Sequence, residues 1–342
     1  MFRRNIIFAA VFLIVVGAGI GGFYFYKSRQ LPAQKPPQNQ QATEPAPLAV
    51  LSEPVVSPIL SLAGDKLWYF KSDGKLYYRA YETSGASQEF VLPKIDSMTK
   101  VVWQKDGSNF IVEQNLEGHV RNQMYDAASN KLIDYPPQMQ KPQFLPGGKR
   151  IIYTWAANGA PELDIADFSG TVYQKITSLY PGSYQMEANS KGTAVALYSR
   201  DPQDNLKLAV LDINAVKFTD LGEAAAYDGG AFSQDSGKYL AAKMPAGQGT
   251  TPSLIVFDLA NKTAKDLNIQ TFSDQAVWAD NNAIIAASGT SILKIHLDTG
   301  SQETLAKDLG YVPRNVMLHP SKPILFFRDE KTGFLYRLDL PR

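Results

Sequence analysis

The sequence predicts an all-β fold: a seven-bladed β-propeller, preceded by one N-terminal transmembrane helix and a Pro/Gln-rich linker. Three features predict it. The 342-residue chain opens on a charge-free apolar run, a tether poor in large apolar residues follows, and the remainder repeats one pattern of short strands.

The apolar run is "IIFAAVFLIVVGAGIGGFYFY", residues 6–26. A helix rising about 1.5 Å per residue makes this roughly 30 Å long, the thickness of a bilayer core. It ends on Phe23, Tyr24, Phe25 and Tyr26, aromatics suited to the membrane interface. A cleaved secretory signal is the alternative, with "VGA" at 16–18 as the cleavage site. The apolar run continues eight residues past Ala18, so the expectation is an uncleaved signal anchor. Arg3 and Arg4 lie before the span, and Lys27 and Arg29 after it. A short tail ahead of a large domain then places the N-terminus inside. Residues 1–29 are thus read as a cytoplasmic tip and anchor, single-pass in the cytoplasmic membrane, with the propeller extracytoplasmic. "GAGIGG" at 17–22 matches a dinucleotide fingerprint by letter. It lacks the preceding strand that aims such a loop at a pyrophosphate, so it belongs to the span.

Residues 30–47 carry Pro, Gln and Ala and little to bury, and read as a disordered linker. Beyond residue 30 the chain has 30 Lys+Arg against 33 Asp+Glu, which argues against a nucleic-acid partner. The absence of cysteine excludes disulfides, thiolate metal sites, cysteine nucleophiles and a lipidated cysteine.

From residue 48 to 342 the sequence repeats. "VVWQKDGSNFIVEQ" (101–114) is an apolar strand, a turn with Asp-Gly, and a second strand. Comparable units start near 60, 142, 184, 231, 276 and 316. Their anchors are Leu62, Trp103, Phe144, Met186, Phe232, Trp278 and Leu318, spaced 41, 41, 42, 46, 46 and 40 residues apart. A period of about 40–45 residues built from strands is that of propeller blades. A second hairpin follows in each unit. Its alternating strand reaches an aspartate (Asp126, Asp167, Asp212, Asp258, Asp298) and turns. The last unit stops at three strands, so residues 48–56, "LAVLSEPVV", are expected to supply the missing outer strand and close the ring.

The turns at Trp103–Gly107 and Phe232–Lys238, and third strands such as Leu254–Leu259, resemble those of TolB-like and WD-repeat-like propellers. They are also similar to the propeller domains of prolyl-oligopeptidase relatives. The resemblance covers about 59–342 and implies architecture. The Gly-His and Trp-Asp pairs of strict WD repeats are missing.

Little catalytic chemistry accompanies the repeat. There is no Gly-x-Ser-x-Gly elbow, and His119, His296 and His319 fall in separate units. "SQDSG" at 233–237 reads as a structural turn. Acidic pairs such as Asp201/Asp204 and Asp329/Glu330 fall short of the oxygens a calcium loop needs. No cofactor or metal is expected. Loops between second and third strands converge on one face with the blade-to-blade loops. Trp155, Arg200, Asp201, Arg314 and Arg328 on that face are the candidate binding residues, because interfaces draw energy from Arg and aromatic anchors. The expected function is a non-catalytic module binding an envelope protein or cell-wall polymer. A lyase or glycan hydrolase with a channel-mouth active site is the alternative.

Overall fold

In a computed structural model, Val56–Leu60, Lys66–Phe70, Leu76–Ala80 and Gln88–Phe90 pair in chain order into one antiparallel sheet. The structure describes residues 46–341, apart from 83–84, 106, 147–148, 157–159, 202, 205 and 246–250. The expected span at 6–26 and most of the linker lie outside the described residues, among which no helix is long and apolar enough to cross a membrane.

The same plan recurs. The described residues form seven four-stranded sheets, and the innermost strands of the first and last sheets are neighbours. The fold is a seven-bladed propeller. Each of its seven apolar clusters lies between two successive blades. A blade alone could not bury both of its faces, so the ring is the unit that removes apolar surface from water. Two of the predicted anchors also reach back to the preceding blade. Trp103 Nε1 donates to the Ser57 carbonyl at 2.8 Å, and Trp278 Nε1 to that of Ala231 at 3.0 Å.

The aspartates ending the third strands shape the turns. Asp212 Oδ1 accepts the backbone N–H of Asn214 and Ala215, and Asp258 Oδ1 those of Ala260 and Asn261. These side-chain turns explain why aspartate recurs there. In "SQDSG", Ser233 Oγ donates to Asp235 Oδ1 at 2.7 Å, a turn contact.

Two sequence boundaries move. The first blade's anchor is Leu60, 9% exposed and paired with Leu67, whereas Leu62 lies in the turn and is 62% exposed. That blade turns two residues earlier than the spacing suggested. The strand completing the last blade is Leu48–Leu51, paired antiparallel with Leu335–Asp339, rather than 48–56. Val56 already belongs to the innermost strand of the first blade. Between them, Glu53 accepts from Tyr69 Oη and Lys71, and Val55 N–H bonds the Gly333 carbonyl at 3.0 Å. Across the same seam, Tyr81 meets Phe326 edge-on at 5.1 Å, and Lys322 pairs with Glu82.

Candidate functional site

Innermost strands start at the face carrying the second-to-third-strand loops, and several are bulged there. Register breaks fall at Val56/Ile59, Met98/Lys100, Gln140/Gln143, Tyr227/Gly229 and Arg314/Met317. Ser57, Lys141 and Asn315 adopt positive φ at such breaks (48°, 51° and 49°). An extra residue in one strand re-aims side chains, here around the channel mouth. Two charged groups result.

The first gathers residues of the second, third and fourth blades. Lys100 and Lys141 stand on the innermost strands Met98–Trp103 and Met139–Leu145. Glu187 stands on Gln185–Ala188, and Arg200 follows the strand Ala194–Tyr198. Lys141 Nζ closes on Glu113 Oε2 at 3.0 Å. Lys100, Glu187 and Arg200 are different: no direct ion pair or hydrogen bond ties them to another described residue. Lys100 and Arg200 are exposed and Glu187 is half-buried. Protein nonetheless surrounds Lys100 and Glu187 closely, so water screens their charges poorly. Burial therefore pushes the Glu187 carboxyl up to about 7, although Lys100 and Arg200 pull it down. Burial likewise pulls the Lys100 ammonium below its usual range, with Glu187 opposing. Tyr198 and Tyr239 flank Glu187, and burial keeps both hydroxyls protonated.

The second group belongs to the fifth, sixth and seventh blades. Asp228 Oδ2 accepts Ser273 N–H at 3.1 Å and its hydroxyl at 2.9 Å. Arg314 Nε lies 3.3 Å from Asp274 Oδ2, with the guanidinium over the Phe272 ring at 4.4 Å. Arg328 Nε donates to Asn315 Oδ1 at 3.1 Å. Burial pushes the Asp274 carboxyl up against the pull of Arg314. Direct contacts tie these groups together as a braced wall, although the buried Asp274 Oδ1 and Arg314 Nη1 have no hydrogen-bond partner among the described residues.

The five residues singled out from sequence thus divide. Arg200 joins the first group, and Arg314 and Arg328 the second. Trp155 is half-buried against the cluster between the second and third blades, edge-on to Tyr153 at 6.4 Å. Asp201 accepts Gln203 N–H at 2.8 Å and shapes its loop. Lys100, Lys141 and Glu187 were missed. Their signal is a single charge inside an otherwise uncharged innermost strand: "MTKVVW", "MQKPQFL" and "QMEA". His319 is structural: buried in a turn of the last blade, its Nδ1 accepts the N–H groups of Ser321 and Lys322.

A cavity of about 450 Å³ lies on the opposite face, the one carrying the first-hairpin turns. Trp103, Phe144, Phe232 and Glu187 are among its walls.

No family model and no curated protein matches the sequence. Solved structures do. The β-propeller domain of Cps50 (Swd1) from Myceliophteria thermophila superposes with a TM-score of 0.59 at 11% identity, over 87% of this chain and 100% of that one. The chain shares that propeller fold. An oligogalacturonate lyase in complex with manganese gives 0.60 at 10% identity, over 86% of this chain and 91% of that one. TolB from Acinetobacter baumannii gives 0.49 at 14% identity, over 82% and 64%. At such identities the common property is the fold, and function rests on the site.

Proposed function

We propose that the protein is a non-catalytic binding module of the cell envelope, which takes an acidic group of its partner at the channel mouth. The observation that carries this reading is the pair Lys100 and Arg200, two cations without direct partners among the described residues. Two unpaired cations at one rim attract an anion and select its sign. Residues 6–26 hold the propeller at the cytoplasmic membrane on its outer side, as the apolar run and its aromatic end support. The partner is an envelope protein or wall polymer. A net negative body argues against nucleic acid.

The test is capture after cross-linking in native membranes, comparing the wild-type chain with a Lys100→Gln, Arg200→Gln double variant. Both side chains reach solvent, so the variant should keep its fold and lose the partner. Undiminished capture by a folded variant would place binding elsewhere.

One observation favours the enzymatic alternative: the Glu187 carboxyl, pushed up to about 7, matches a general acid or base. A glycan hydrolase needs a second carboxylate at working distance, and the neighbouring Glu113 is closed on Lys141. Turnover of a uronate polymer that vanishes in Glu187→Gln would establish the alternative.

A further inference from the structure

The two ends of the channel differ in chemistry, and Glu187 belongs to both. It senses Lys100 and Arg200 at the mouth, and it lines the cavity below. Lys100 and Val102 are two residues apart on one strand, so they lie on the same side of the second blade, toward the third, where Val102 packs. Val102 is also a cavity wall.

The cavity is preformed. Trp103 is fixed through Nε1 to the Ser57 carbonyl and packs edge-on against Phe110 at 5.4 Å. Phe144 packs on Phe168 at 5.4 Å, and Phe232 on Tyr239 at 4.9 Å. Walls held in this way lose little entropy on binding. About 450 Å³ lies within the range of roughly 300–1,000 Å³ typical of small-molecule sites.

We propose that the channel binds an apolar carboxylate, its acid group between Lys100 and Arg200 and its apolar body between Trp103, Phe144 and Phe232. This rests on the reading of the mouth as an acid-binding site and names the ligand class. Charge selects the sign. Lys100 and Arg200 outnumber Glu187, while Lys141 is closed on Glu113. An ammonium in the same place would meet two cations. The aromatic walls select an apolar body over a small hydrophilic acid.

A pH dependence follows. The groups facing Glu187 are Lys100, Arg200, Tyr198 and Tyr239. Both tyrosines stay protonated across the neutral range, and a ligand carboxylate adds a second negative charge. Two adjacent carboxylates resist joint ionisation, so binding draws a proton onto Glu187. Affinity then falls as pH rises above about 7, by up to about tenfold per pH unit.

The test is calorimetry on the full chain in lipid nanodiscs, against empty nanodiscs, with 4-phenylbutyrate, acetate, 4-phenylbutylamine and N-acetylglycylphenylalanine as probes. Phenylbutyrate should bind saturably near pH 6 and weaken above neutrality. Glu187→Gln should bind it with no weakening through neutrality, any decline being confined to the alkaline side where Lys100 loses its proton. Trp103→Ala should lose at least tenfold. Because Trp103 also packs in the core, Lys100→Gln is the second variant and should lose a similar factor with the fold intact. Tighter binding of the dipeptide than of phenylbutyrate assigns the site to a polypeptide C-terminus, and the reverse to a free acid; either supports the proposal. Equal binding of acetate and phenylbutyrate overturns the apolar half and leaves the acid-binding mouth standing. Failure of both acids overturns both readings. Preference for the amine, or a weakening between pH 6 and 7.5 that persists in Glu187→Gln, overturns the proposal.

Discussion

Glu187 shows how one side chain couples the lumen to stability. Its carboxyl is pushed up to about 7 from an ordinary 4.5 because burial penalises the charge. A raised folded-state value means that its contribution is complete below about 4.5 and is lost as pH rises through about 7. The shift corresponds to at most about 3 kcal/mol, less whatever lumen water screens. Urea melts near pH 6 and pH 8.5 should show wild type losing stability that Glu187→Gln keeps. Parallel pH profiles for the two proteins would refute the assignment. His319 works in the opposite sense. Burial pulls its imidazole below 6.5, with Lys322 adding to the effect. Its contribution is present above 6.5 and lost as pH falls through the lowered value. A protonated Nδ1 can no longer accept the Ser321 and Lys322 N–H groups. His319→Ala should therefore cost about 1–3 kcal/mol at neutral pH and flatten the acid limb of the melting curve.

The innermost strand is the element on which architecture and site meet. In the fifth blade it runs as Tyr227–Phe232 and contains Gly230. A Cβ there would come within 2.4 Å of the Leu240 carbonyl oxygen and 2.5 Å of the Tyr239 ring. The backbone is packed against the second strand with no room for a methyl group. Gly230→Ala should destabilise by about 1–3 kcal/mol, read by chemical denaturation. A change near zero would mean that the strand shifts freely. The bulges were not legible in the sequence, because positive φ at Ser57, Lys141 and Asn315 carries no glycine to announce it. The third-strand aspartates were legible, because the residue type and the turn it makes share one chemistry.

For the whole ring, closure is the decisive event. Leu48–Leu51 covers the edge of Leu335–Asp339, and Val50 and Leu51 enter the cluster shared by the last and first blades. Removing residues 1–52 should lower the melting temperature by many degrees and promote aggregation through the bared edge. Removing 1–45 should leave it nearly unchanged. Equal melting of the two truncations would show that the strand contributes nothing to closure.

The repeat was readable along the chain because each blade must solve the same local problem. It needs an apolar strand, a tight turn and an alternating strand, and that solution returns every 40–46 residues. Fold class and blade number follow from that periodicity alone. The channel site has no such local rule. Lys100, Glu187 and Arg200 stand in different blades or on different strands, and only ring closure brings their charges into one lumen. Sequence separation hides them, and a low-dielectric channel that exists only in the closed ring sets the protonation of Glu187.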